Sequence, residues 1–144
     1  MPDLDSRTCI HDLVIRFYRE VSCDDLLGPI FEEVAEVDWA SHIPKLIDYW
    51  CLVLLGEPGY DGFMLGAHQQ VHQCEGFRVE LFDRWYELFV TTIDDGWRGP
   101  RAQRAKAHAA RAAAGLSRRL IGLDWKVPGR AVGGERAQSG PRLR

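Results

Sequence analysis

Four stretches of the chain carry apolar residues at every third or fourth position, and this pattern most constrains the fold. In the first stretch, the residues that share the stripe are Ile10, Leu13, Val14, Phe17, Tyr18 and Val21. Such spacing places them on one face of a helix over about 6–22. Similar stripes predict helices over about 39–55, 77–95 and 100–122. No stretch alternates as a half-buried strand does, so the sequence predicts an all-α fold.

Pro44 leaves two possibilities for the second helix. Asp38 is a typical N-cap residue, so the helix can begin at Trp39. A proline inside a helix removes one backbone hydrogen bond and clashes with the preceding turn. The helix therefore either begins at Pro44 or is kinked there. In both cases His42 lies near a helix start, on the same side as the apolar stripe.

Composition places the chain among single-domain soluble proteins. It has 144 residues, of which 46% are hydrophobic and 27% are charged. No run of about 18 apolar residues predicts a membrane span. The acidic start of the chain has no apolar core of a signal peptide, so we expect a cytoplasmic location.

Charge divides the chain unequally. Residues 1–97 hold 6 Lys/Arg and 19 Asp/Glu, whereas residues 98–144 hold 12 and 2. The basic part has almost no aromatic residues, so we expect no nucleic-acid partner. Its last segment is rich in Gly, Pro and Arg, which predicts a folded domain over 1–124 and a disordered basic tail over 125–144.

Five histidines occur, and His68 is the candidate metal ligand. It lies among apolar residues, six positions past Gly62. Imidazole is a common ligand for transition metals, but a lone histidine beside apolar residues is also a frequent core residue. His72 and Cys74 are close enough in sequence to join it in a zinc-like site. We expect His108, like His11, to lie at the surface.

Six motifs occur in a fixed order along residues 7–121. They are Phe17-Tyr18, Asp25-Leu26-Leu27-Gly28-Pro29-Ile30-Phe31, Asp38-Trp39-x-x-His42, Asp48-Tyr49-Trp50, Tyr60-x-Gly62 followed by His68, and Phe82-Asp83-Arg84-Trp85-Tyr86-x-Leu88-Phe89. As an ordered set they resemble the truncated haemoglobins of the third group. The glycine pairs of other truncated globins are missing from the predicted domain, which agrees with that group.

The resemblance implies a short globin in which two pairs of helices, two over two, enclose a b-type haem. His68 is then the proximal ligand of a five-coordinate iron. Tyr18, Trp85 and His42 correspond to the polar residues on the distal side, which contact the bound ligand. The residues that the resemblance places against the haem are Phe31, Trp50, Met64, His68 and Phe82. Cys-x-x-Cys-His is absent, so covalent c-type attachment is excluded.

The function implied by this resemblance is binding of O2, and of NO, CO or peroxide, in a polar pocket. Strong hydrogen bonds to the ligand slow its release, which suits sensing, scavenging or chemistry on the ligand. NO dioxygenation or peroxidation is open, and turnover needs a reductase that this chain does not contain. Two other classes are also open, namely a zinc-like metal protein and a cofactor-free helical adaptor.

Overall fold

The computed structural model describes residues 1–31, 38–60 and 78–128. Within these ranges the chain forms four long helices, which are α1 (Arg7–Cys23), α2 (Trp39–Leu55), α3 (Val79–Gly96) and α4 (Pro100–Ile121). A turn after α1 leads into a short helical segment over 28–31. The described ranges contain no strand. The four predicted helices and the all-α class are therefore confirmed.

The helix ends follow from local chemistry. The Ser6 hydroxyl accepts the backbone N–H of the third residue of α1 at 3.2 Å, and an Asp38 carboxylate oxygen accepts an N–H from the first turn of α2 at the same distance. Gly56 and Gly122 end α2 and α4 in the left-handed conformation, with φ of 72° and 70°. Glycine adopts this conformation without the penalty that a Cβ atom brings.

Pro44 lies inside α2. The helix already has its hydrogen bonding before the proline, because the His42 N–H donates to the Asp38 carbonyl at 2.9 Å. The alternative that the main helix begins at Pro44 is therefore wrong. Proline has no N–H for the carbonyl of Ala40, so α2 forgoes one bond near its start. The first turn of α2, which carries His42, is thus joined to the rest of the helix by fewer bonds.

The helices form two pairs stacked on each other. α1 packs on α2 and α3, and α4 packs on α3 and α2. Buried side chains between them include Phe17, Leu54, Phe89 and Ile93. No helix in the described ranges combines the length and apolar character that a membrane span requires.

Asp3, near the start of the chain, caps α4, which begins at Pro100. The Asp3 carboxylate accepts the backbone N–H groups of Arg101 at 3.0 Å and Ala102 at 2.8 Å, at the positive end of the helix dipole. Gly99 has a φ of 143°, and a Cβ atom there would lie 2.5 Å from Asp3 Cγ. Leu4 is fully buried beside this cap, so the chain start fixes α4 against the core.

Asp24 lies in the turn between α1 and the short helical segment, and it links this turn to α3. Its carboxylate accepts the N–H groups of Leu26 at 3.1 Å and Leu27 at 2.9 Å, and the Nε–H of Arg84 at 2.6 Å. Burial raises the pKa of the Asp24 carboxyl, but these hydrogen bonds outweigh burial and hold the pKa below its ordinary value. The turn that leads to Phe31 is therefore positioned by a charged group on α3.

Trp125 lies one residue beyond the predicted domain boundary, and it packs on the helices. Only 5% of its surface is exposed, in a cluster with Phe82 and Ala113. Its indole N–H donates to Asp83 at 2.8 Å. We therefore propose that the folded unit extends past Asp124 to at least the end of the described segment at 128. Residues 129–144 lie outside the described residues, and the tail stays a prediction there.

Two truncations test this boundary. Ending the chain after Pro128 should leave the thermal midpoint unchanged. Ending it after Leu123 removes the buried indole, which costs about 3 kcal/mol by comparison with other large core deletions. The melting midpoint should then fall by on the order of 10 °C. Equal midpoints for the two truncations, measured by circular dichroism, would place the boundary before Trp125.

Asp24→Asn tests the anchored turn. The loss of charge should reduce the free energy of unfolding by about 1–2 kcal/mol at pH 7, a value discounted because Arg84 is partly solvent-exposed. A carboxyl with a lowered folded pKa stabilises the protein above its unfolded pKa, and this stabilisation disappears as the pH falls through the folded pKa.

The difference between wild type and Asp24→Asn in urea unfolding should therefore shrink below about pH 4. Asp25→Asn, at the exposed neighbouring position, is the matched control and should change little at either pH. A difference of the same size at pH 7 and pH 3 would mean that the Asp24 charge does not fix the turn.

Candidate functional site

Four aromatic side chains meet between α1, α2 and the short helical segment, and we call them the aromatic box. Its members are Tyr18, Phe31, Trp39 and His42. The Tyr18 ring lies 6.2 Å from Phe31, 5.8 Å from Trp39 and 6.2 Å from His42, between ring centroids. Phe31 stacks on Trp39 at 5.7 Å. The box therefore joins two predicted distal residues, Tyr18 and His42, to the predicted haem contact Phe31.

Trp85 joins the box from α3. Its ring lies 5.8 Å from Phe17. Burial raises the pKa of the Tyr18 phenol far above its ordinary value, and an interaction with the Trp85 side chain offsets only part of that rise. Tyr18 is therefore a neutral O–H donor throughout the physiological pH range.

The Tyr18 hydroxyl has a proton to donate. No acceptor for this O–H is present among residues 1–31, 38–60 and 78–128. A buried hydroxyl without an acceptor costs free energy, and a ligand atom with partial negative charge would satisfy it. The arrangement is therefore suited to holding a small polar ligand beside flat apolar walls.

The sequence analysis did not assign a role to Trp39, although the signal was present. Trp39 and His42 are three residues apart at the start of α2, so they share one helix face. Their rings lie 5.8 Å apart, and both face Tyr18. His42, which is partly exposed, lies at the solvent edge of the box.

Two predicted haem contacts pack elsewhere in the core. Trp50 is 4% exposed and stacks on Phe89 with ring centroids 5.0 Å apart. Phe82 packs in the cluster that it forms with Ala113 and Trp125. Contact of Trp50 and Phe82 with a haem stays a prediction.

The predicted proximal side of the haem falls on residues 64–74. Met64, His68, His72 and Cys74 lie outside the described residues. Within the described ranges, no group of three or more His, Cys, Asp or Glu side chains is arranged to hold a metal ion.

The predicted surface position of His108 is wrong. His108 is partly buried on α4, and its Nε2 lies 2.5 Å from the Tyr49 hydroxyl. Burial, and then the nearby Arg111, lower the pKa of its imidazole. The alanines around His108 give no sequence sign of this contact. A helix of small residues approaches α2 closely, so Tyr49 on α2 reaches His108. His11 is exposed, as expected.

Comparisons with known proteins identify similar chains. No protein-family model matches the sequence. A group 3 truncated haemoglobin of Campylobacter jejuni is 33% identical over 81 residues, and the match covers 54% of this chain and 61% of that protein. A crystal structure of a group III truncated haemoglobin from the same species superposes with a TM-score of 0.71 at 28% identity. That superposition covers 81% of this chain and 91% of the other.

The sequence match and the structural match agree on the same group of proteins. They also agree with the four helices of the described residues. The predicted resemblance is thereby confirmed: the chain has the truncated-globin fold and is similar to the truncated haemoglobins of the third group.

Proposed function

We propose that this chain holds a b-type haem and binds O2 at the iron, in a distal pocket formed by Tyr18, Trp85 and His42. NO, CO and peroxide are further ligands of the same pocket. The observation that carries the proposal is the buried hydroxyl of Tyr18, which lies beside Trp85 and has a proton to donate.

The described residues fit a haem on this side. A porphyrin is a flat apolar group, and the rings of Phe31 and Trp39, stacked at 5.7 Å, provide a flat apolar wall beside Tyr18. By the family resemblance, Phe31 and Met64 would contact the haem and His68 would ligate its iron. When bound, the haem iron supplies an open coordination position for a diatomic ligand.

Tyr18 and Trp85 supply the polarity of the pocket. Bound dioxygen carries partial negative charge, so an O–H donor held in a dry pocket stabilises it. A hydrogen bond to a charged acceptor is worth about 1.5–3 kcal/mol. In this proposal the Trp85 N–H donates to the phenol oxygen, which leaves the phenolic proton for the ligand. The rest of the Tyr18 ring is fixed edge-on against Phe17, at 4.6 Å.

His42 has a different role in this proposal. It lies at the edge of the aromatic box, on the first turn of α2. Pro44 has no N–H, so this turn makes one hydrogen bond fewer to the rest of the helix. Movement of this side chain would open a path for ligands between solvent and Tyr18. His42 should therefore influence ligand association more than ligand release.

Stopped-flow measurement of oxygen release from the ferrous protein tests these roles. Tyr18→Phe and Trp85→Phe should each raise the release rate about tenfold or more, since loss of about 1.4 kcal/mol of stabilisation corresponds to tenfold in rate. His42→Leu should change the association rate more than the release rate.

Tyr86→Phe is the matched control, because Tyr86 lies on α3 next to Trp85 in sequence but its ring packs on Trp125 at 5.4 Å. That variant should release oxygen at the wild-type rate. Unchanged release from both Tyr18→Phe and Trp85→Phe would remove the proposed distal hydrogen bonds while leaving the fold and the haem in place.

A further inference from the structure

Tyr49 and His108 form a hydrogen-bonded pair outside the distal pocket. Tyr49 on α2 and His108 on α4 are both partly buried, and the phenol oxygen lies 2.5 Å from the imidazole Nε2. The Tyr60 ring lies edge-on to Tyr49 at 5.1 Å. The pair therefore lies between the core and the surface where α2 and α4 meet.

A continuous series of rings connects this pair to the pocket. Trp85 stacks on Phe89 at 5.6 Å with the planes only 6° apart, and Phe89 stacks on Trp50 at 5.0 Å. Trp50 lies 5.5 Å from Tyr49 and 5.4 Å from His108. At its other end, Trp85 interacts with Tyr18 of the aromatic box. Neighbouring ring centroids in this series lie 5.0–5.6 Å apart.

We propose that Tyr49 and His108 are a redox-active pair that supplies electrons to the pocket when a peroxide is reduced there. The electron leaves the Tyr49 phenol and passes along Trp50, Phe89 and Trp85, while the phenolic proton moves to His108 Nε2. This inference rests on the proposed haem function, because the oxidant is hydrogen peroxide acting at that site.

The reaction balances with hydrogen peroxide as the named oxidant. Each event breaks one O–H bond of Tyr49 and gives one electron, one proton and a neutral phenoxyl radical. Two events deliver two electrons to one hydrogen peroxide, which takes up two protons from solvent as its O–O bond breaks to give two waters. Between events a small phenol or enediol at the partly exposed Tyr49 gives up one electron and is itself oxidised, and His108 returns the proton, so that the Tyr49 phenol is restored.

The protonation states of the pair suit this step. Burial, and then the proximity of Tyr60, raise the pKa of the Tyr49 phenol, so the proton is present before oxidation. Burial lowers the pKa of His108, so its imidazole is neutral near pH 7 and Nε2 is free to accept a proton. A phenol that loses an electron becomes a strong acid, and a base in hydrogen-bond contact removes its proton without a change of geometry.

Tyr18 is nearer to the pocket but is less suited to the same reaction. No acceptor for its proton occurs in the part of the chain that the structure describes. Oxidation of Tyr18 would therefore leave a proton in a buried site. Tyr49 is distinguished from it by the base at 2.5 Å.

The test uses the purified full-length chain, mixed with hydrogen peroxide and frozen within milliseconds for electron paramagnetic resonance. A tyrosyl radical signal is expected in the wild type and in the control Tyr86→Phe, and Tyr49→Phe should lose most of it. His108→Gln keeps a hydrogen-bonding side chain but removes the base, so it should also lose signal with an unchanged melting midpoint.

Two readouts separate failure of this inference from failure of the proposed function. A Soret band in the purified chain shows that haem is bound, and an undiminished radical in Tyr49→Phe would then overturn the inference alone. If no Soret band is present, the oxidant is photogenerated ruthenium(III) tris-bipyridine with persulfate. Loss of radical in Tyr49→Phe and in His108→Gln under that oxidant would support the redox pair, and no loss would overturn it.

Discussion

The burial of the Tyr18 hydroxyl beside Trp85 is the constraint on which the rest of the site depends. It brings α3 and α1 together inside an apolar core, where a hydrogen bond is electrostatically stronger than in water and an unpaired group is costly. Burial also keeps the phenol protonated, so its O–H is available as a donor. The proposed pocket chemistry follows from that one buried donor.

Several contacts far from Tyr18 keep the helices in the positions that bring Tyr18 and Trp85 together. Asp3 holds the start of α4, and Asp24 holds the turn that leads to Phe31. Buried alanines such as Ala105 and Ala109 let α4 approach the other helices closely. A helix cap is worth only about 1 kcal/mol, but several such contacts together select one arrangement of the four helices.

The helical periodicity of the sequence predicts much of this arrangement. Tyr18 and Phe17 follow from the stripe of α1, and the ends of α4 follow from Gly99, Pro100 and Gly122. The sequence could not decide whether α2 continues through Pro44, because the cost of one lost bond is smaller than the gain from burying the residues on either side. Such a balance depends on tertiary packing, which a short stretch of sequence does not determine.

The positions that sequence analysis missed share a physical cause. Trp125 is an isolated tryptophan after a glycine and an aspartate, so no period marks it as buried, and its partner Asp83 is 42 residues away. His108 lies in an alanine-rich helix, where the contact to Tyr49 spans 59 residues. Single long-range polar contacts of this kind leave no pattern in the sequence.

The optical spectrum of the purified protein tests the central claim, that this fold holds a haem through His68. The account predicts a Soret band in the wild type, a five-coordinate ferrous spectrum after reduction, and retention of both in the control His72→Ala. His68→Ala should lose haem or five-coordinate character. A folded, helical wild type without a Soret band would contradict the claim, with bound zinc pointing to a metal site of another kind and no metal to a cofactor-free adaptor.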